Sequence, residues 1–122
     1  MNDQPNIILL SADALRADRM SAYGYDRPTT PNIEQLLADS IVCEQCLSLA
    51  AFTQGSFPTI LTSSRPLSYG GFDSIARGRP KTLFRHFRDH GYWVTGLNTF
   101  KWVSRFYGLE DAFDEEFFLF LP

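Results

Sequence analysis

Basic clusters, long apolar runs, cysteines and histidines are all scarce in this sequence. Eleven Lys and Arg stand against fourteen Asp and Glu, giving a formal net charge of -3. No Lys/Arg stripe is available to neutralise a phosphate backbone, so nucleic acid is not an expected partner. No apolar run approaches the roughly 20 residues needed to cross a bilayer as a helix. The opening Met1-Asn2-Asp3-Gln4-Pro5 is polar and has neither the basic start nor the apolar stretch of a secretion signal. These features lead us to expect a cytoplasmic protein without a membrane partner. The 122 residues are 44% hydrophobic and 15% aromatic, enough to build a core and too apolar for a disordered chain.

There are two cysteines and two histidines. Cys43 and Cys46 have C-x-x-C spacing, which raises a redox pair or half of a zinc site. Residues 41–47 are β-prone, however, and side chains three apart on a strand leave opposite faces. A zinc site would need further Cys or His ligands, and both histidines lie in a separate helical segment. We therefore expect ordinary buried or half-buried cysteines. His86 and His90 are one helical turn apart and could share a metal. Beside Arg85, Arg88 and Asp89 they read more simply as an exposed polar face.

Residues 6–12 form a nearly continuous apolar run, as in a parallel strand buried on both faces. A helix is expected from Thr30 as N-cap and Pro31 at the first helical position, with Ile33, Leu36 and Leu37 on its apolar side. Residues 41–49 read as β-prone. Residues 53–61 predict a second helix, with Pro58 weakening its middle or moving its start toward Phe57. Residues 80–90 predict a third, with Leu83, Phe84 and Phe87 on one face and Gly91 as its stop. Residues 92–97 predict a second buried strand, and 101–107 a short helix. This alternation implies an α/β fold, a mainly parallel sheet flanked by helices, with 6–12 and 92–97 as neighbouring central strands. Residues 63–78, rich in Ser, Gly and Arg, form the long connection.

In open α/β sheets ligands bind beyond the carboxyl ends of the strands. Asp13 directly follows the first predicted strand, so its carboxylate is a candidate for a hard cation. The plainer alternative is that Asp13 caps the turn or helix beginning at Ala14.

Asn6-Ile7-Ile8-Leu9-Leu10-Ser11-Ala12-Asp13-Ala14-Leu15-Arg16-Ala17-Asp18-Arg19, followed by Tyr23-Gly24-Tyr25-Asp26-Arg27-Pro28-Thr29-Thr30-Pro31-Asn32-Ile33, resembles the opening of the sulfatase family of the alkaline-phosphatase superfamily. The resemblance resumes at Gly91-Tyr92-Trp93-Val94-Thr95-Gly96 and at Gly108-Leu109-Glu110-Asp111-Ala112-Phe113-Asp114. It covers nearly all of residues 1–122, which read as the N-terminal part of a sulfatase-like domain with an incomplete alkaline-phosphatase-like fold.

The resemblance implies a divalent metal, Ca2+ or Mg2+, held in part by Asp13, and a small anionic sulfate or phosphate ester as substrate. Many members have a second acidic ligand where this chain has Ala14. The nucleophile, which also coordinates the metal, matches Thr53 in Phe52-Thr53-Gln54-Gly55-Ser56-Phe57-Pro58. A helix N-terminus suits an anionic tetrahedral ester, because its N–H groups and dipole favour negative charge. Sulfatases carry Cys or Ser at this position, in C/S-x-P-S-R, and convert it to formylglycine. Oxidising a threonine at Cβ would give a ketone, and the motif's arginine is replaced by Phe57. An unmodified threonine nucleophile instead resembles the phosphotransferase and phosphodiesterase branches.

Two plainer possibilities stand beside this one: Thr53 as a simple N-cap, and Ser56 as the reactive hydroxyl. Arg65 and Arg79 could reach an anion from the long connection, or be merely solvated. The remaining metal ligands of the family come from a later strand, so the chain reads as a truncated or split portion. The apolar residues 115–122 then imply an oligomer or a partner chain covering them.

Overall fold

The computed structural model describes residues 4–72 and 76–119. Two compact units divide at the Cys46/Leu47 bond, Met1–Cys46 and Leu47–Pro122. No helix among the described residues is long and apolar enough to cross a membrane.

In the first unit, two 3-10 turns, Ala17–Arg19 and Ser21–Tyr23, lead to helix α1, Pro31–Leu37. Pro31 occupies its first turn, as its pre-set φ and missing N–H favour. Thr30 precedes the helix as predicted but makes no capping bond to it. Its hydroxyl instead contacts Ser21 Oγ at 3.1 Å and accepts from the Ala22 N–H at 3.3 Å. Thr29 Oγ donates to the Arg19 carbonyl at 2.6 Å. These side chains tie the 3-10 turns to the start of α1.

The strand predicted at residues 6–12 is absent. The segment carries no regular structure, and all of it is exposed, with Ile8 and Leu10 each 90% accessible. Residues 41–49 likewise contain no strand. Cys43 and Cys46 are therefore neither buried nor half-buried: both are exposed free thiols. No described residue of the first unit is buried. A strand, unlike a helix, takes its backbone partners from another segment, so an apolar run alone does not make one.

The second unit holds the core. Helix α2, Thr53–Thr62, begins and ends close to expectation and carries Pro58 inside it. Pro58 is fully buried and leaves the Gln54 carbonyl without an N–H from the next turn. Helix α3, Leu83–Asp89, is capped by Thr82, whose hydroxyl accepts from the Arg85 N–H at 3.1 Å. Gly91 follows with φ +84°, the left-handed conformation that ends a helix without a Cβ clash. His86 and His90 both lie exposed.

Strands β1, Thr95–Asn98, and β2, Glu115–Phe118, pair in parallel with Thr95 opposite Glu115 and Asn98 opposite Phe118. The second predicted strand thus forms three residues later than its apolar pattern suggested, and its neighbour is β2 rather than residues 6–12. The short helix expected at 101–107 shrinks to one 3-10 turn, Arg105–Tyr107.

Leu61, Ala76, Leu109, Ala112 and Phe113 form the core, with Phe57, Phe84, Val94, Trp102, Val103 and Tyr107 packed against it. Asp114 then joins three segments. Its carboxylate pairs with Arg88 of α3 at 2.8 Å and accepts the Val94 N–H at 2.8 Å, just ahead of β1. Arg88 also donates to the Asp111 carbonyl at 2.7 Å. The Phe113-Asp114 pair therefore contributes one side chain to the core and one to the helix–sheet junction. Among the described residues the architecture is α/β: three α-helices and a small parallel sheet. The apolar end of the chain is described only as far as Leu119, and the expectation for Phe120, Leu121 and Pro122 lies outside the described residues.

Candidate active site

Phe52, in extended conformation, is the N-cap of α2, and Thr53 is its first helical residue. Thr53 is thus not itself the N-cap. The first turn closes through the Phe52 carbonyl, which accepts from Gly55 N at 3.2 Å and Ser56 N at 3.0 Å. Thr53 is half-buried, and a hydroxyl there stands at the positive end of a ten-residue helix.

Close packing holds this turn against the segment before it. A Cβ added to Gly55 would lie 2.5 Å from Ala50 Cβ and 2.9 Å from the Phe72 ring, so only glycine fits. Phe72 in turn packs edge-on against Phe52, ring centroids 5.1 Å apart. Ser56 Oγ lies 2.8 Å from the Ala50 carbonyl and 2.8 Å from Ser48 Oγ, which itself reaches the same carbonyl at 2.7 Å. Two hydroxyl protons serve these three contacts. Ser56 is therefore engaged in fastening the helix start to residues 48–50.

Asp13 belongs to the first unit, in an exposed turn, and Thr53 to the second. The following residue, Ala14, has φ +57°. The next helical turn begins at Ala17 with Arg16 as its N-cap. Among the described residues no group of three or more His, Cys, Asp or Glu side chains gathers where it could hold a metal ion. Asp13 and Thr53 offer oxygen donors of the kind Ca2+ and Mg2+ take. Two donors are nevertheless far short of the six or more such ions require, so these residues do not make a metal site by themselves.

Arg65 is exposed. Arg79 is half-buried and engaged within the second unit: it donates to Ser64 Oγ at 3.1 Å and to the Gly71 carbonyl at 3.0 Å. Burial pushes its pKa down from the ordinary arginine value. Ser64 Oγ also contacts Thr62 Oγ at 2.6 Å, so Arg79 braces the turn leaving α2.

One feature escaped the sequence reading. Lys101 follows β1 by three residues, beyond its carboxyl end, and lines an open cleft of about 400 Å³ with Phe106, Tyr107 and Phe118. Its ammonium lies over the Trp102 ring, 5.4 Å from the centroid. The position of a cation just past a predicted strand was the available signal.

The family model described as Sulfatase matches residues 5–121. The chain belongs to the sulfatase family. Arylsulfatase H of Canis lupus familiaris is 35% identical over 69 residues, covering 57% of this chain and 12% of the relative. Arylsulfatase D of Homo sapiens is 31% identical over 107 residues, 77% of this chain and 18% of the relative. A protein of Escherichia coli (strain K12) whose name, YhbX, carries a provisional transferase assignment is 37% identical over 62 residues, 51% of this chain and 12% of its own length. The sulfatase-family chain thus spans about an eighth to a sixth of the relatives it matches. No solved structure gives a significant match. Membership implies an alkaline-phosphatase-like α/β fold, of which the three helices and the parallel strand pair form a consistent part.

Proposed function

We propose that this chain carries the nucleophile, Thr53, and one metal-binding carboxylate, Asp13, of a hydrolase acting on sulfate or phosphate esters. The observation that carries the reading is Thr53 as first residue of α2 in a chain of the sulfatase family. Thr53 Oγ bonds to the central sulfur or phosphorus as the ester's alkoxide departs with its electron pair. The threonine proton passes through solvent to the leaving alcohol, and water then cleaves the threonyl ester. Backbone N–H groups at the helix start favour the anionic group throughout. A divalent metal would supply Lewis-acid polarisation.

Thr53 is preferred over Ser56 because it stands at the first position of α2, where the family resemblance puts the nucleophile. A second reading, transfer of the group to an acceptor alcohol instead of water, is favoured by the relative with a transferase name and by the unmodified threonine. Both share the covalent step.

The gene product in full, assayed with nitrophenyl sulfate, nitrophenyl phosphate and bis-nitrophenyl phosphate, tests the proposal. Thr53→Ala should abolish turnover and Asp13→Asn should reduce it by about ten- to a hundredfold, the range seen when a carboxylate supporting a metal is lost. Full turnover in Thr53→Ala overturns the assignment. A rise in transfer product with added alcohol separates the two readings.

A further inference from the structure

The cysteine pair takes on a different meaning once the expected strand is absent. On a strand, residues three apart lie about 10 Å from one another between Cα atoms. A disulfide needs about 4.4–6.8 Å. Here no strand forms, and the chain bends at Glu44 and Gln45, the two residues between the cysteines. That bend shortens the path from residue 43 to residue 46 relative to an extended strand, the direction in which a bridge requires it to go. Both thiols are free and exposed, open to a reagent from solvent. The pair also falls within one compact unit, ending at its last residue, Cys46. No third His, Cys, Asp or Glu joins them among the described residues, which argues for thiol chemistry rather than a metal site.

We infer that Cys43 and Cys46 form a vicinal dithiol that closes reversibly to an intramolecular disulfide by exchange with a small-molecule disulfide. One cysteine thiolate attacks a sulfur of the oxidant, oxidised glutathione for example, and displaces one glutathione thiolate. The second attacks the protein-side sulfur of the mixed disulfide and displaces the other glutathione. Two electrons pass to the oxidant, two protons leave the protein, and one S–S bond replaces another. The second step is fast because its nucleophile is three residues away and held at high effective concentration. Closure also fixes the bend, since the bridged spacing is incompatible with an extended strand through residues 41–49.

The reduced 122-residue chain, equilibrated with graded oxidised glutathione and trapped by alkylation, tests this by intact mass and thiol counting. Both thiols should vanish together, with the mass falling by two hydrogens and no glutathione retained, and dithiothreitol should restore both. Cys43→Ser and Cys46→Ser should each retain one glutathione, and both side chains are exposed, so these variants leave packing intact. Wild-type chain carrying two glutathiones, disulfide-linked dimers in place of the internal bridge, or no loss of thiols would each overturn the inference.

Discussion

Two non-glycine residues, Ala14 and Ser63, hold left-handed φ values of +57° and +50°. An L side chain there crowds the following carbonyl, at a cost of about 1–2 kcal/mol. Ser63 sits at the C-cap of α2, where a left-handed residue is the ordinary way to end a helix. Ala14 has no such excuse, and it adjoins the candidate ligand Asp13. Ala14→Gly should raise the stability of the folded turn by about 0.5–1 kcal/mol, read as a higher urea midpoint. An unchanged midpoint would mean that the strain is already relieved. Asp89 offers a test of charge at the same scale. Its carboxylate bonds Lys81 at 2.9 Å and Arg85 at 2.8 Å, and these partners, Lys81 first, hold its pKa below the usual aspartate value. A depressed carboxylate stabilises the fold fully above the unfolded value near about 4, and that contribution fades as pH falls through the lower folded value. An NMR titration should find the Asp89 midpoint below that of an unstructured peptide and moving toward it as salt rises.

The three helices were legible in the sequence and the sheet largely was not, for reasons that follow from where each obtains its hydrogen bonds. Thr30-Pro31 and Gly91 mark helix ends by local chemistry, and α1 and α3 begin or end beside them. Residues 6–12 and 41–49 have strand composition but no strand, because composition cannot supply a partner. Even the strand that formed was displaced: the polar Thr95 and Asn98 are paired while Tyr92 and Trp93 are not, since register follows β2. At the site, Thr53 could be placed at a helix start from sequence, whereas the role of Gly55 could not, because its neighbours Ala50 and Phe72 are defined only by folding. That role is measurable. Gly55→Ala drives a methyl into Ala50 and the Phe72 ring and should destabilise the second unit by about 1–3 kcal/mol in chemical denaturation. Phe72→Ala opens space on one side only. If Gly55→Ala were neutral, the close approach of α2 to residues 50 and 72 would be wrong.

For the molecule as a whole, the shortage of cation ligands and the exposed apolar surface have the same consequence. On one face of the sheet, Leu97 and Phe117 are opposite one another and both remain open to solvent, although parallel sheets are normally covered on both faces. The run at residues 6–12, directly followed by the candidate ligand Asp13, is open along its length. Two protein donors, Asp13 and Thr53, would leave most of a cation's coordination sites to water, so the ion would polarise an ester oxygen in no defined geometry. The 122-residue chain alone should therefore show no useful turnover of nitrophenyl sulfate, nitrophenyl phosphate or bis-nitrophenyl phosphate with Ca2+, Mg2+ or Mn2+ added. Calorimetry should detect at most weak cation binding, and Asp13→Asn should change it little. Turnover by the isolated chain that disappears in both Asp13→Asn and Thr53→Ala would overturn this argument, because these residues would then have completed a working site, for instance with ligands borrowed across an interface between copies.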